Sequence, residues 1–343
     1  LVETIGKKRI SFGPYLRADG ILSSEWDMVV AFHTNTLGVR GSETAVWDYA
    51  NFNETILGNR SVLCLREGLC EKTNVVFAKW KERFPIVSYR SKKELSEKLQ
   101  SQEASVLYQI KAGPFDGLVI PGVRNCIHSM FLSDEFHGDR FAYVSAWASR
   151  VMTLGDKSFV PHYVPKLFSA QNLRKSLGIP AKAKVFGRHG GWETFNIPFA
   201  REAVARHARH HSGDHFIFLN TEPIRQGKNL PNIHYLEATV DPEKKAQFLA
   251  SCDAMIHARD TGETFGLAVA EFAVLGKAVI TYGGSKERAH LEMLGKQARI
   301  YNVQQGLQKI LEDFEPGVSG KTEYQDWADP TQVMSLFREK FLS

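Results

Sequence analysis

Short apolar runs alternate with longer stretches in which apolar residues recur every three or four positions, and this alternation covers most of the chain. Short runs bounded by turn formers predict strands buried on both faces, and the longer periodic stretches predict the helices that cover them. In the first half the expected strands are Met28–Phe32, Ser61–Leu65, Pro85–Ser88, Ser105–Ile110, Asn125–Ile127 and Phe141–Val144. Ser42–Leu57 and Lys92–Gln100 are the clearest helices between them. The pattern lapses at Phe159-Val-Pro-His-Tyr-Val-Pro165, where two prolines favour an extended crossing over a helix. It restarts with strands at Lys184–Phe186, His215–Leu219, Ile233–Leu236, Ala254–His257, Ala278–Tyr282 and Ala298–Tyr301. Two such series predict an α/β protein of two doubly wound, Rossmann-like domains facing each other across a cleft. The expected limits are an N-terminal extension over 1–26, a first domain over 27–160, a second over 161–325 and a C-terminal helix within 326–343. In that helix Val333, Met334, Leu336, Phe337 and Phe341 share one side, which suits packing back on the first domain.

Composition narrows the class. The 343 residues suit two ordinary domains, and 43% hydrophobic with 24% charged residues is the balance of a soluble globular protein. The net charge of +5 favours an anionic partner without a basic block for nucleic acid. Cys64, Cys70, Cys126 and Cys252 are scattered, with neither a CxxC pair nor zinc spacing, and read as free thiols in a reducing compartment. The sequons at Asn53 and Asn59 fall on or just after a predicted helix and carry little weight. The chain opens at Leu1 without a charged-then-apolar leader, and a trimmed or longer natural product is expected. The longest apolar stretch, Phe265–Tyr282, carries Glu271 and Lys277 and does not suit a bilayer. A cytoplasmic protein is expected. The basic, partly aromatic segments Trp80–Phe84 and Arg90–Lys93 read as solvated surface, with peripheral contact to an anionic membrane as the alternative.

The most informative segment is Ala254–Tyr282, which reads as strand, turn, helix and strand. Gly262 suits the turn and Gly276 the left-handed residue that ends a helix. The helix from about Phe265 is apolar except for Glu271, and a carboxylate there costs several kcal/mol unless it is satisfied. Glu263 lies eight positions earlier, just over two turns, so both acids can face one cleft. Between them lie the free N–H groups of a helix's first turn, which suit a phosphate. Two readings follow from the residues alone. The pair flanks a sugar-nucleotide site, or Glu263 caps the helix and Glu271 pairs with a neighbour such as Lys277.

Glu263-Thr-Phe-Gly-Leu-Ala-Val-Ala-Glu271, followed by Gly276-Lys-Ala-Val279, resembles the E-x7-E signature of the retaining glycosyltransferases of family four, which have the GT-B fold. Asn232-Ile-His-Tyr-Leu-Glu237 and Lys245–Asp253 match that family's run-up in order and spacing. The resemblance implies that Glu263 faces the donor sugar, that Glu271 binds the ribose hydroxyls, and that Thr264, Phe265, Gly266 and Leu267 lie beside the diphosphate. It implies that Arg188, ending the strand Val185-Phe-Gly-Arg188, meets the diphosphate, a task that suits a guanidinium. The family's lysine five residues later is Glu193 here, leaving His189, Lys228 or Arg225 to supply the charge. The loop from His33 through Gly38 and Gly41 resembles the family's first glycine loop, and His128 stands where relatives have a histidine that touches the donor sugar. Taken singly, Arg188 also reads as a surface arginine, the loop as a plain turn, and His128 as a histidine bonded to a carbonyl. The implied activity is transfer of a sugar from a nucleotide-sugar donor to a glycan or glycoconjugate hydroxyl, with retention and without a cofactor. The rivals are a sugar-nucleotide epimerase on the same fold and a non-catalytic carbohydrate- or nucleotide-binding protein.

His207 and His211 stand at helical i,i+4 spacing, with His210 and His215 nearby, but there is no HExxH. Glu202 and Asp214 complete no recognised ligand pattern, so a cationic helix face is expected. No DxD motif occurs, and no metal is expected.

Overall fold

The structure, a computed structural model, describes residues 15–16, 22–23, 27–35, 37, 41–68, 75–155, 158–227 and 229–343. Two six-stranded parallel sheets form two lobes. The first contains β1 (Val29–Thr34), β2 (Arg60–Arg66), β3 (Ile86–Tyr89), β4 (Val106–Lys111), β5 (Arg124–Ser129) and β6 (Arg140–Tyr143), in the spatial order 3-2-1-4-5-6. Helices α1 (Gly41–Thr55), α2 (Val75–Arg83), α3 (Lys92–Ser101) and α4 (Ala146–Thr153) accompany it. The second contains β7 (Val185–His189), β8 (His215–Leu219), β9 (Ile233–Leu236), β10 (Ala254–His257), β11 (Ala278–Tyr282) and β12 (Ala298–Tyr301), in the equivalent order 9-8-7-10-11-12. Its helices are α5 (Pro198–His210), α6 (Pro242–Ser251), α7 (Leu267–Ala273), α8 (Ala289–Leu294) and α9 (Gln304–Glu312).

β4, β7 and β8 are buried along their whole length, as strands covered on both faces must be. Prolines open α5 and α6, where their missing N–H removes no helical bond, and Asp241 caps α6 by accepting from the Glu243 N–H. Each strand order reverses beside the first strand of its lobe, and a doubly wound sheet takes ligands in the crevice outside that point.

The twelve strands fall where the apolar alternation predicts. β5 continues to Ser129 beyond the expected Ile127, and β7 continues to His189. Both extensions matter at the site, because successive strand residues point to opposite faces. Asn53 and Asn59 are buried, with Asn53 Nδ2 donating to Ser61 Oγ (2.9 Å) and Asn59 Nδ2 to Asn53 Oδ1 (2.9 Å). They tie α1 to β2 and are closed to glycan addition. Cys64, Cys126 and Cys252 are buried free thiols, and Cys70 lies outside the described residues. In the basic segment Trp80 and Phe84 turn into the core and leave Lys81 and Glu82 exposed. Among the described residues no helix is long and apolar enough to cross a membrane.

The chain passes between the lobes twice. On the way out, Tyr49 Oη donates to the Pro161 carbonyl (2.9 Å) and the Val164 N–H to the Trp327 carbonyl (3.0 Å), so the two crossings are bonded together. The return leads into α10 (Pro330–Phe337), capped by the Asp329 carboxylate on the Thr331 N–H. Val333, Met334, Phe337 and Phe341 pack into the first lobe's core, with the Phe337 ring 5.3 Å from Tyr49 and 5.0 Å from Tyr108.

Candidate functional site

β10 delivers the chain to the carboxyl edge of the second sheet, where Gly262–Glu263 pairs in parallel with Glu287–Arg288. Gly262 has φ +79°, and a Cβ there would stand 2.0 Å from the Glu287 carbonyl oxygen. The obstacle is backbone and cannot swing aside. Gly262→Ala is therefore expected to lower stability by at least ~1–3 kcal/mol in urea denaturation, from the left-handed φ alone, and to displace Glu263.

Glu263 accepts two contacts, from His257 Nε2 at 3.3 Å and Arg259 Nη1 at 2.8 Å. Burial alone would raise its pKa, but His257, Arg259 and His290 outweigh burial and hold it at about 2. An ionised carboxylate only accepts, so His257 Nε2 carries a proton. The other nitrogen, Nδ1, lies 2.9 Å from Thr281 Oγ1 and fixes the ring. The His290 ring packs 4.9 Å from that of His257, fully buried, and burial pushes its pKa down to about 3.

Gly266 precedes α7, whose first turn leaves N–H groups without intrahelical partners. One face of this short helix carries Glu271, buried to 5% exposure, with His189 Nε2 at 2.9 Å and Lys245 Nζ at 2.6 Å. Burial raises Glu271, and the fields of Lys245 and His189 together with the Lys245 hydrogen bond more than reverse it, to about 2. His189 itself is pushed below its usual range by burial, although Glu271 pulls it up. The charge partner of Glu271 is thus Lys245 on α6. Lys277 instead donates to the Cys252 carbonyl (2.5 Å).

The segment between the acids faces the first lobe. Thr264 Oγ1 donates to the Met130 carbonyl (2.6 Å), and the Phe265 ring stands edge-on to His162 at 5.0 Å. Tyr324 Oη donates to the Phe265 carbonyl (2.5 Å). A Cβ on Gly41, which opens α1, would fall 2.9 Å from Leu267 Cδ1, so a small residue lets the lobes approach there. Asp48, farther along α1, lies within the fields of Lys245 and Glu271, and burial foremost raises its pKa to about 7.

The structure thus brings Glu263, Thr264, Phe265, Gly266, Leu267, Glu271 and Gly41 to one cleft. Gly38 and Lys228 lie outside the described residues, and Glu193 and Arg225 are exposed. Two residues expected to meet the donor, His128 and Arg188, make their contacts within the protein. Because β5 runs on to Ser129, His128 is inside the strand and fully buried, with Nδ1 2.6 Å from Tyr108 Oη and Nε2 2.9 Å from the Val160 carbonyl. Both nitrogens are occupied, and the ring braces the first crossing. Arg188 likewise lies within β7, 3% exposed, donating to the carbonyls of Asn220 (3.2 Å) and Gly191 (2.8 Å) and the hydroxyls of Thr194 (2.5 Å) and Thr221. Its guanidinium clamps the 190–194 loop to the end of β8, where its charge still raises the local potential. Lys245, His257, Arg259 and His290 complete the site and were not singled out from the sequence. Their signal is position: His257 ends a buried strand, and Arg259 follows two residues on, just before Glu263.

Among the described residues one group of His, Cys, Asp and Glu side chains converges closely enough to share an ion, and it lies at the carboxyl-terminal end of α5 and the turn after it, away from this cleft. No family model matches the chain, and no curated protein matches it in sequence. Solved structures do match. Anabaena HepE in complex with UDP and glucose is 13% identical, over 92% of this chain and 95% of that one, with a TM-score of 0.63. AviGT4, a glycosyltransferase involved in avilamycin A biosynthesis, is 14% identical over 91% and 96%, with a TM-score of 0.59. WaaG, a glycosyltransferase involved in lipopolysaccharide biosynthesis, is 12% identical over 88% and 94%, also with a TM-score of 0.59. At such identities the likeness establishes the fold: two doubly wound, Rossmann-like domains facing across a cleft, the GT-B architecture.

Proposed function

We propose that the protein is a glycosyltransferase that moves a sugar from a nucleotide-diphosphate sugar to a hydroxyl of a glycan or glycoconjugate, with retention and without a metal in the reaction. The observation that carries this reading is the pair of ionised acids, Glu263 and Glu271, set either side of the α7 tip at the switch point of the second sheet. HepE, which has the same fold, binds UDP and glucose. Glu271 with Lys245 offers an acceptor and a donor to ribose hydroxyls. The N–H groups at the α7 tip, together with the nearby positive charge of Arg188 and Arg259, suit a diphosphate leaving group as its charge grows. Glu263, held ionised, suits the positive charge that develops on the departing sugar.

A thermal-shift panel of UDP, GDP, ADP and CMP, with their sugars, identifies the donor. Release of nucleoside diphosphate that depends on an added acceptor, and a product retaining the donor's anomeric configuration by NMR, supports the proposal. Conversion of the donor sugar without any acceptor points to an epimerase, and binding without turnover to a carbohydrate- or nucleotide-binding protein.

A further inference from the structure

We propose that the carboxyl-terminal end of α5 holds a single transition-metal ion of the zinc, nickel or copper class through His207, His211 and Asp214. The two histidines are one helical turn apart, and the sequence offers them no third ligand in an ordinary pattern. The fold provides one. After α5 ends, the chain turns tightly, with the Asp214 N–H donating to the His211 carbonyl (3.0 Å), and this brings the Asp214 carboxylate back onto the histidine face. One donor atom from each residue lies within 4.8 Å of the others. His207 Nε2 and Asp214 Oδ2 are 2.8 Å apart, and the two imidazole rings stack at 4.3 Å.

The backbone that carries these ligands is fixed. The buried Asn232 side chain donates to the carbonyls of Ala208 (3.0 Å) and Asp214 (2.7 Å) and approaches that of His211 (3.4 Å). Asn232 thus links the last turn of α5 to the loop before β8. The His207 ring is buried edge-on between Phe186 and Phe216, which sets its direction. His211 is exposed, with its ring stacked on that of His207. Two ligands at about 2.0–2.1 Å around a tetrahedral ion stand roughly 3.3 Å apart, so His207 and Asp214 need open by only a few tenths of an ångström. A cavity of about 200 Å³ lined by Arg206, His210, Gln308 and Glu312 adjoins the rings and gives an ion entry and space for water as a further ligand. Imidazole nitrogens with one carboxylate select borderline metals over magnesium or calcium.

α5 runs back against the strands, so its end lies at the amino edge of the sheet, opposite the cleft. The ion would therefore tie helix to loop and take no part in sugar transfer. This makes the test independent of the proposed activity. Untagged full-length protein is titrated with ZnCl2, NiCl2 and MgCl2 by calorimetry and thermal shift, and with CoCl2 by visible absorption. One zinc per chain, a rise in Tm with zinc and nickel but not magnesium, and a cobalt d–d band are expected. Zinc affinity should fall tenfold or more in both His211→Ala and Asp214→Asn and stay within twofold in His210→Ala. His211 is exposed, so its variant should fold, as its unchanged Tm without metal would verify. Absence of one-to-one binding, or binding retained in His211→Ala, overturns the proposal.

Discussion

Glu263→Gln is expected to lower kcat by roughly 10²–10³-fold while the KM for the donor stays within a few-fold. The side chain keeps its shape and loses its charge, so under the proposed sugar transfer the substitution removes electrostatic stabilisation that grows as the sugar becomes cationic. One preorganised group of this kind is worth about 3–4 kcal/mol. His257 and Arg259 hold the carboxylate at 3.3 and 2.8 Å, so little reorganisation is needed at the moment of reaction. Its pKa of about 2 bears on its role. Against an ordinary value of 4.5, Glu263 is ionised above about pH 4 and has no proton to give there as a general acid. The rate profile should therefore show no limb belonging to Glu263 between pH 4 and pH 9. Steady-state kinetics check both points. A variant within tenfold of wild type would remove Glu263 from the chemistry, and a KM-only effect would make it a binding residue.

The sequence reading and the structure differ most where a strand end has to be located. Apolar runs locate the twelve strands because a parallel sheet buried on both faces tolerates little else. They locate ends poorly when polar residues are themselves buried. His189 continues β7 one residue past the expected end at Arg188, and His128 and Ser129 continue β5 past Ile127, although no apolar pattern announces them. One residue of extension decides which face a side chain takes. His189 lands on the α7 side and meets Glu271, whereas Arg188 takes the other face and clamps a loop. The acids were legible for the opposite reason: Glu271 interrupts a run that is otherwise apolar. Its cation was not. Lys245 lies 26 residues earlier on α6, and nothing along the chain distinguishes it from Lys244; only the packing of α6 beside α7 brings it to 2.6 Å. The same holds for Asp214, which a turn returns to His207.

Glu271→Ala is the substitution expected to damage the fold and the proposed nucleotide site together, and the two effects can be separated. The carboxylate is 6% exposed on its side chain, between His189 and a Lys245 that keeps 27% of its surface in water. Removing one member of a buried pair costs about 3–5 kcal/mol when the other stays buried. Lys245 can rehydrate, so the lower end, about 3 kcal/mol, is expected in denaturant titration. The acid limb offers a second measure. The folded pKa of about 2 lies below the ordinary 4.5, so ionised Glu271 stabilises the fold fully above about pH 4.5 and loses that contribution as pH falls toward 2. The shift corresponds to about 3 kcal/mol. Glu271→Gln should flatten the fall in stability over this window, whereas Lys245→Ala should leave much of it through His189. If Glu271 also binds the nucleotide, Glu271→Gln should weaken the Kd for the tightest nucleotide at least tenfold at a temperature where it remains folded. A Kd unchanged alongside the stability loss would leave Glu271 an ion-pair residue that holds α6 to α7 and nothing more.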